Sequence, residues 1–424
     1  MDVFFKKARE LDKSDKLAQY KEEFVNDTSM IYLDGNSLGK LPKKTFETTS
    51  SIVKEQWGNK LIKSWNEHWM ELPNTIAEKI AKIVGAQPDE IFVGDTTSIN
   101  LYKLLFAALS HQKNKFEVVT DDLNFPTDLY IIQGLIEQQF KKHSLKIVKS
   151  DSEITIDSKE FEKAVSAKTA VVTLSLVSYK SSFLYNMKEV NNLVHKNNGL
   201  TIWDLSHAAG AVQVKLNETN ADLAIGCTYK YLNGGPGSPA FLYVRKDLQE
   251  KLMNPIWSWF AHEKPFDFSH DFKASKGIQK FAISTPSILS LGAISPGLDI
   301  IIEAEMKNIV KKSQSQSEFL IELIKEFLLP LNFEIVSPLN TAQRGSHISI
   351  KHAESYRINR AMISPSNNKT KSVIPDFRPP NFIRLGITPL YTSYVDLVEA
   401  VLRIKEIVAT KEYENFSNEK LLVT

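Results

Sequence analysis

Leu200-Thr201-Ile202-Trp203-Asp204 and Leu223-Ala224-Ile225-Gly226-Cys227-Thr228-Tyr229-Lys230 are the two stretches that set how this chain is read. Each is an apolar run of strand length that stops on polar chemistry, an aspartate in the first and a tyrosine-lysine pair in the second. Working outward, the same texture recurs at Ile91-Phe92-Val93-Gly94, Glu117-Val118-Val119-Thr120, Leu145-Lys146-Ile147-Val148, Ala170-Val171-Val172-Thr173-Leu174 and Ala240-Phe241-Leu242-Tyr243-Val244. Helix-like stretches separate several of these, one with Leu101, Leu104, Leu105 and Ala108 on a single face and another over 187–197. Strand-helix alternation of this kind predicts an α/β fold around a mainly parallel sheet.

The flanks differ in texture. Residues 1–28 read as an amphipathic helix, followed by Ile31-Tyr32-Leu33 and the loop Asp34-Gly35-Asn36-Ser37-Leu38-Gly39. Past about residue 291 one long helix-like segment runs to 328. Strands follow at Phe333–Val336, His347–Ile350 and Phe382–Leu385, with a Ser/Asn/Lys/Pro-rich loop over 363–380 and a last helix over 394–412. A chain of 424 residues is too long for one ordinary core. The expected division is an N-terminal arm, 1–45, joining a small α+β C-terminal domain, 291–424, with a large domain over 46–290.

Composition excludes several classes. Hydrophobic residues make up 42% and charged residues 24%, with a net charge of +2, so the chain is globular and lacks the basic excess of a nucleic-acid or membrane-surface binder. Lys141-Lys142 and Lys311-Lys312 read as solvated helix faces. The single cysteine, Cys227, rules out an intrachain disulfide framework and a CxxC metal site, and no metal is expected. Met1-Asp2-Val3-Phe4-Phe5-Lys6-Lys7 lacks the apolar run of a signal peptide, and no stretch approaches the roughly 20 apolar residues of a membrane span. A cytoplasmic location is expected.

Ligands of open α/β sheets bind beyond the carboxyl ends of strands. The segments after the apolar runs carry Asp95-Thr96-Thr97-Ser98, Phe125-Pro126-Thr127-Asp128, Ser175, Asp204 with His207, and Thr228-Tyr229-Lys230 ahead of the Gly-rich Asn233-Gly234-Gly235-Pro236-Gly237. Thr97 and Ser98 at a helix start suit a phosphate. A carboxylate such as Asp204 can hold a pyridine nitrogen protonated. A lysine among aromatic and hydroxyl groups, Lys230, can form a Schiff base. Phe125 offers a flat apolar face to a heterocycle. Taken singly, each has a blander reading: a helix cap for Thr97-Ser98, a loop cap for Asp204, surface charge for Lys230 and core for Phe125. Taken in this order they describe a site for pyridoxal 5'-phosphate (PLP).

The chain resembles the kynureninase family of PLP enzymes, built on the aspartate-aminotransferase fold (fold type I). The residues carrying the resemblance are Tyr32–Gly39, Ser64-Trp65-Asn66, Phe125–Asp128, Asp204–Gly210, Thr228–Asn233, Trp259-Phe260-Ala261-His262-Glu263 and Ile383–Tyr391. It implies hydrolysis of L-kynurenine, and of 3-hydroxykynurenine as a second substrate, to anthranilate or its hydroxy form and L-alanine. That activity belongs to tryptophan breakdown or NAD biosynthesis. Lys230 would carry PLP and move the Cα proton, and Tyr229 would serve the later proton transfers. Asp204 would pair with the pyridine nitrogen, with His207 beside the ring. Thr97, Ser98 and Tyr229 would hold the phosphate, joined by Trp259 and Thr285 from the partner of a homodimer. Phe125 would stack on the ring, with Asp128 and Ser175 around it. Arg384 would clamp the α-carboxylate, and Trp65 and His68 would flank the aryl group.

Three positions depart from the family pattern. Ser182 replaces a glycine, which predicts an altered loop backbone there. Thr285 stands where some members have asparagine and leans toward kynurenine. Ala261 replaces a glycine. Two other readings stay open: a cysteine desulfurase or selenocysteine lyase, which needs a mobile nucleophilic cysteine, and a non-catalytic protein that keeps the fold for binding. An aminotransferase is a weaker third.

Overall fold

A computed structural model of the chain describes residues 1–150, 152–366 and 370–419. After a short strand, β1 (Met30–Tyr32), seven strands form the large sheet: β2 (Ile91–Val93), β3 (Glu117–Asp121), β4 (Ser144–Val148), β5 (Thr169–Ser175), β6 (Leu200–Asp204), β7 (Leu223–Gly226) and β8 (Phe241–Val244). Side-chain alternation builds a core on each face. Ile202 of β6 lies in one core with Leu101, Leu104 and Leu105 of the helix Thr97–His111. Its neighbour Trp203 lies in the other with Ile76 and Ile80 of the helix Leu72–Val84 and Val194 of the helix Met187–Lys196. β6, the middle strand, and its neighbour β5 are buried at every position, as expected of strands covered by helices on both sides.

The strand order is β2-β8-β7-β6-β5-β3-β4. All pairings are parallel except the two made by β8. Because β2 opposes β8 and β8 opposes β7, β2 runs with the other five strands. The carboxyl ends of β2, β3, β5, β6 and β7 therefore share one edge, and the chain enters β8 from that edge. The α/β, mainly parallel sheet read from the sequence is thus the observed one, and its topology brings the polar segments together.

Further along come β9 (Glu334–Ile335), β10 (His347–Lys351), β11 (Ser372–Ile374), β12 (Asp376–Arg378) and β13 (Phe382–Gly386). Four of them make an antiparallel sheet in the order β12-β13-β10-β9, while β11 pairs in parallel with β1. Ile31, Leu33, Ile348, Ile350, Ile383 and Leu385 share a separate core with Leu397, Val401 and Ile404 of the helix Tyr394–Ala409. The N-terminal helix Asp2–Lys13 contributes Ala8 to that core. Its Asp12 carboxylate accepts from the Tyr394 and Val395 N–H groups at 2.8 and 3.0 Å, capping the last helix.

Several expectations are corrected here. The loop expected over 363–380 contains β11 and β12, its residues 367–369 lying outside the described ones; the polar composition hid two short strands that pair along their edges. The single helix expected over 291–328 is two, Ile288–Ala304 and Met306–Phe327, interrupted where Glu305 takes a left-handed φ of 61°. The helix expected over 1–28 ends at Lys13 and gives way to a 3-10 segment, Ala18–Glu23. Lys312 is buried rather than solvated, 2.6 Å from buried Asp15, and donates to the Pro389 carbonyl. Ser182 adopts φ 69°, a left-handed value that glycine takes more readily than serine. Among the described residues no helix is long and apolar enough to cross a membrane.

Gly386 fixes how closely the N-terminal segment meets β13. Its N–H donates to the Leu33 carbonyl at 2.7 Å. A β-carbon there would lie 1.8 Å from Oδ1 of the buried Asn36 and 2.9 Å from the Leu33 carbonyl oxygen. Gly386→Ala is expected to cost about 1–3 kcal/mol of stability, as other overpacked core positions do. Urea denaturation checks this, and an unchanged midpoint would contradict the close approach.

Candidate active site

The floor of the cleft is ionic. Asp204 ends β6 and is buried, and its Oδ1 accepts from the Ser206 N–H at 2.8 Å and the Ser206 hydroxyl at 2.6 Å. Lys230 follows β7, and its Nζ lies 3.0 Å from His207 Nε2. Burial first, then the positive charges of Lys230 and Arg384, hold the His207 pKa well below the ordinary imidazole value. The ring is therefore neutral, and Nε2 can accept from an ammonium. A second buried imidazole, His347 of β10, has its centroid 5.9 Å from that of His207.

A second carboxyl stands beside the first. Asp128, in the first turn of the helix Pro126–Gln138, is buried with Oδ2 unpartnered. Burial, then the charge of Asp204, pushes its pKa well above the carboxylate range. Burial raises Asp204 as well, but its two hydrogen bonds from Ser206 and the Lys230 charge act in the opposite direction. Of the two, Asp128 takes the proton and Asp204 stays the anion, the usual outcome for neighbouring carboxyls in unequal surroundings. Ser175 ends β5 opposite Asp204 and donates to Asn124 Oδ1 at 2.6 Å.

The side of the cleft is aromatic. The Lys230 Nζ lies 6.0 Å from the Phe125 ring centroid and 5.7 Å from that of Tyr229. Phe125 meets Tyr179 edge to face at 5.2 Å. Burial raises the Tyr229 phenol pKa, so it is a proton donor at neutral pH. On the N-terminal side of the helix Thr97–His111 the cap is Thr96, whose hydroxyl oxygen accepts from the Ile99 N–H at 3.4 Å. Thr97 and Ser98 are thus left in the first turn, where N–H groups lack helical partners and attract anions. The loop bearing Lys230 is pinned from outside: the Gly39 N–H donates to the Tyr229 carbonyl at 2.8 Å, and a β-carbon on Gly39 would sit 2.3 Å from the Lys230 carbonyl oxygen.

These residues fit PLP. An anionic carboxylate at a strand end suits a pyridinium, the buried unpartnered Asp128 Oδ2 and His207 Nδ1 suit polar ring substituents, a helix N-terminus suits the phosphate, and Lys230 lies beside His207.

Beside this cleft stands Arg384, on β13 and fully buried. Its Nη1 donates to the Tyr179 carbonyl at 2.7 Å and its Nη2 to the Ser37 hydroxyl oxygen at 2.9 Å, while Nη2 also pairs with Asp376. Asp376 is shared with Arg378 at 3.0 Å. Asp34, Ser37, Asp376, Arg378, Asn124, Tyr179 and His347 are site neighbours to which the sequence assigned no role. A pointer existed for two of them: aspartate and arginine two residues apart, as at Asp376 and Arg378, face the same way on a strand.

Not every expected residue joins the cluster. Trp65 packs at 5.3 Å from Trp69 and 6.4 Å from Phe260, beside Trp259, on segments apart from Lys230. His68 is exposed, its Nε2 3.2 Å from Lys60 Nζ. Trp259 is 40% exposed. Thr285 lines a cavity of about 540 Å³ together with Thr96, Gly237 and Phe260, next to the helix start expected to take the phosphate.

Cys227 is buried, its thiol donating to the Ser206 carbonyl at 3.7 Å, and burial pushes its pKa up. That is the reverse of what a nucleophilic thiolate needs.

Comparison with known proteins bears on the family and the fold. A family model described as the kynureninase C-terminal domain matches residues 309–404. Kynureninases of Pseudomonas fluorescens and Burkholderia mallei are each 38% identical to the chain over 408 residues, 95% of it and 95% of each of them. Among solved structures, the cysteine desulfurase of Thermococcus onnurineus NA1 superposes with a TM-score of 0.79 at 17% identity, over 93% of this chain and 98% of that one. A C-DES variant with glycine covalently linked to its PLP cofactor does so with a TM-score of 0.79 at 14% identity, over 91% and 99%. At such identities the structural likeness carries the fold, that of the PLP-dependent fold type I enzymes, while the full-length sequence likeness carries the family: the chain belongs to the kynureninases.

Proposed function

We propose that the protein is a hydrolase that cleaves the Cβ–Cγ bond of L-kynurenine to give anthranilate and L-alanine, using PLP held on Lys230. The observation that carries this reading is the set of buried Asp204, half-buried Lys230 and buried, neutral His207, beside Arg384, in a chain of the kynureninase family. Bound PLP supplies an electron sink that lets bonds at the substrate's α- and β-carbons break. Lys230 Nζ takes and returns the proton at Cα. Asp204, kept anionic by Ser206, holds the proton on the pyridine nitrogen. Thr97 and Ser98 bind the phosphate at a helix N-terminus, and Phe125 covers a ring face, with Asp128 and Ser175 at its edge. Tyr229 Oη, protonated at neutral pH, delivers a proton as water adds at the γ-carbonyl carbon and the Cβ–Cγ bond opens. Arg384 receives the α-carboxylate.

The same reading makes the protein a cytoplasmic homodimer in which Trp259 and Thr285 reach the partner's phosphate and Trp65 and His68 flank the aryl group. Exposed Trp57, Ile62, Trp257, Phe266 and Phe268 support an interface, since monomers seldom expose so much apolar surface. Thr285 favours kynurenine over its 3-hydroxy form. The desulfurase reading loses its nucleophile with Cys227 buried.

Steady-state kinetics with both substrates should give the higher kcat/KM for kynurenine, and a higher value for 3-hydroxykynurenine would reverse the preference. Lys230→Ala should lower kcat by more than about a thousandfold while PLP still binds through its phosphate; retained turnover would remove Lys230 from the chemistry. Arg384→Ala should raise KM by about a hundredfold or more, the scale of a lost charged hydrogen-bond pair, with PLP retention little changed. Sedimentation equilibrium should give twice the chain mass, and Trp257→Glu combined with Phe266→Glu should halve it; a monomeric wild type would end the shared-site reading.

A further inference from the structure

Arg384, read above as the receptor of the substrate carboxylate, already holds a carboxylate of the protein's own. Asp376 and Arg384 are register partners on the antiparallel strands β12 and β13. The same Asp376 oxygen, Oδ2, is shared by Arg384 Nη2, by Arg378 Nη2 at 3.0 Å and by the Ser37 hydroxyl at 3.3 Å. The two arginines are not equivalent. The Arg384 side chain is 1% exposed, whereas that of Arg378 is 35% exposed. Both arginines keep a buried Nε without a partner, so neither fork is saturated.

We infer that Asp376 is a built-in carboxylate that occupies Arg384 and passes to Arg378 when an amino-acid carboxylate binds, which makes Arg378 and Asp376 positioning residues for substrate. This inference rests on the proposed role of Arg384. Charge explains why a second arginine is needed. A carboxylate arriving at Arg384 displaces Asp376 from its partner, and a buried carboxylate left without a counter-charge is strongly destabilised. Arg378 lies within ion-pair distance of the same oxygen, so Asp376 changes partner by a side-chain shift alone. Asp34 completes the cluster: burial, and next the charge of Asp376, push its pKa up to about 7. With Asp34 largely uncharged on the acid side of that value, two guanidiniums face one full carboxylate, which leaves a net positive charge to receive the ligand. The cluster touches the reacting end of the cleft through Tyr179, whose carbonyl accepts from Arg384 and whose ring meets Phe125.

The test is a double-mutant cycle on the PLP-loaded enzyme, read by calorimetric binding of L-alanine and by KM and kcat for kynurenine. Asp376→Asn removes the competing charge and should bind L-alanine about three- to tenfold more tightly, with KM falling more than kcat changes. Arg378→Gln strands Asp376 on Arg384 and should weaken binding about tenfold, whereas Arg378→Lys, a point charge sufficient to hold Asp376, should stay near wild type. The double variant Asp376→Asn/Arg378→Gln should return to the tight binding of Asp376→Asn. If Asp376→Asn binds L-alanine no better than wild type, or if the double variant is as weak as Arg378→Gln alone, the inference is overturned; in the latter case Arg378 grips the ligand itself. Thermal unfolding monitors folding of each variant, and Asp376→Ser repeats the measurement if the asparagine variant is unstable. Arg384→Ala separates the two claims. Unaltered L-alanine binding in that variant sinks the role of Arg384, whereas weakened binding with a failed cycle sinks only the exchange of Asp376.

Discussion

Burying Asp204 beside the half-buried Lys230 is the constraint from which the rest of the site follows. A buried carboxylate is not stable alone in a low-dielectric setting. Asp204 is held by two hydrogen bonds from Ser206, and Lys230 by a neutral imidazole. The neighbouring Asp128 is forced toward its protonated form by the charge already present. Such an arrangement needs a scaffold that cannot relax. β5 and β6 provide it, since they are buried along their whole lengths and end side by side at Ser175 and Asp204.

A second requirement is that the lysine loop be held without being buried in a regular element. The N-terminal segment does this from the far side of the chain. Gly39 donates to the Tyr229 carbonyl and packs so closely on the Lys230 carbonyl that no side chain fits. The same segment supplies Ser37 to Arg384 and runs past Gly386 on β13. The arm therefore touches both Lys230 and Arg384, and a shift in it would move both.

Much of this was legible in the chain alone, and the reasons are local. Strands buried on both faces write themselves as unbroken apolar runs, so β5, β6 and β7 and the residues just beyond them stood out. The polar segments at their ends then lay on one edge by topology alone. What stayed hidden was long-range or compositionally masked. Asp376 and Arg378 fall in a polar, proline-containing stretch that reads as loop, and only the pairing of β12 with β13 sets them against Arg384. His347 reads as one more residue of a β-strand until β10 brings it beside His207. Glu305 carries no helix-breaking signal, yet its left-handed backbone divides what reads as one helix. Trp65 and Trp259 carry the family pattern, but within one chain they gather around Phe260 rather than around Lys230.

The central claim is that Lys230, above Asp204 and beside His207, carries the cofactor. Borohydride reduction of the PLP-loaded protein, followed by proteolysis and mass mapping, locates that bond directly. The account predicts a single phosphopyridoxyl adduct on the peptide containing Lys230 and its loss in Lys230→Ala. An adduct on another lysine, or none in a protein that still turns over kynurenine, would contradict it.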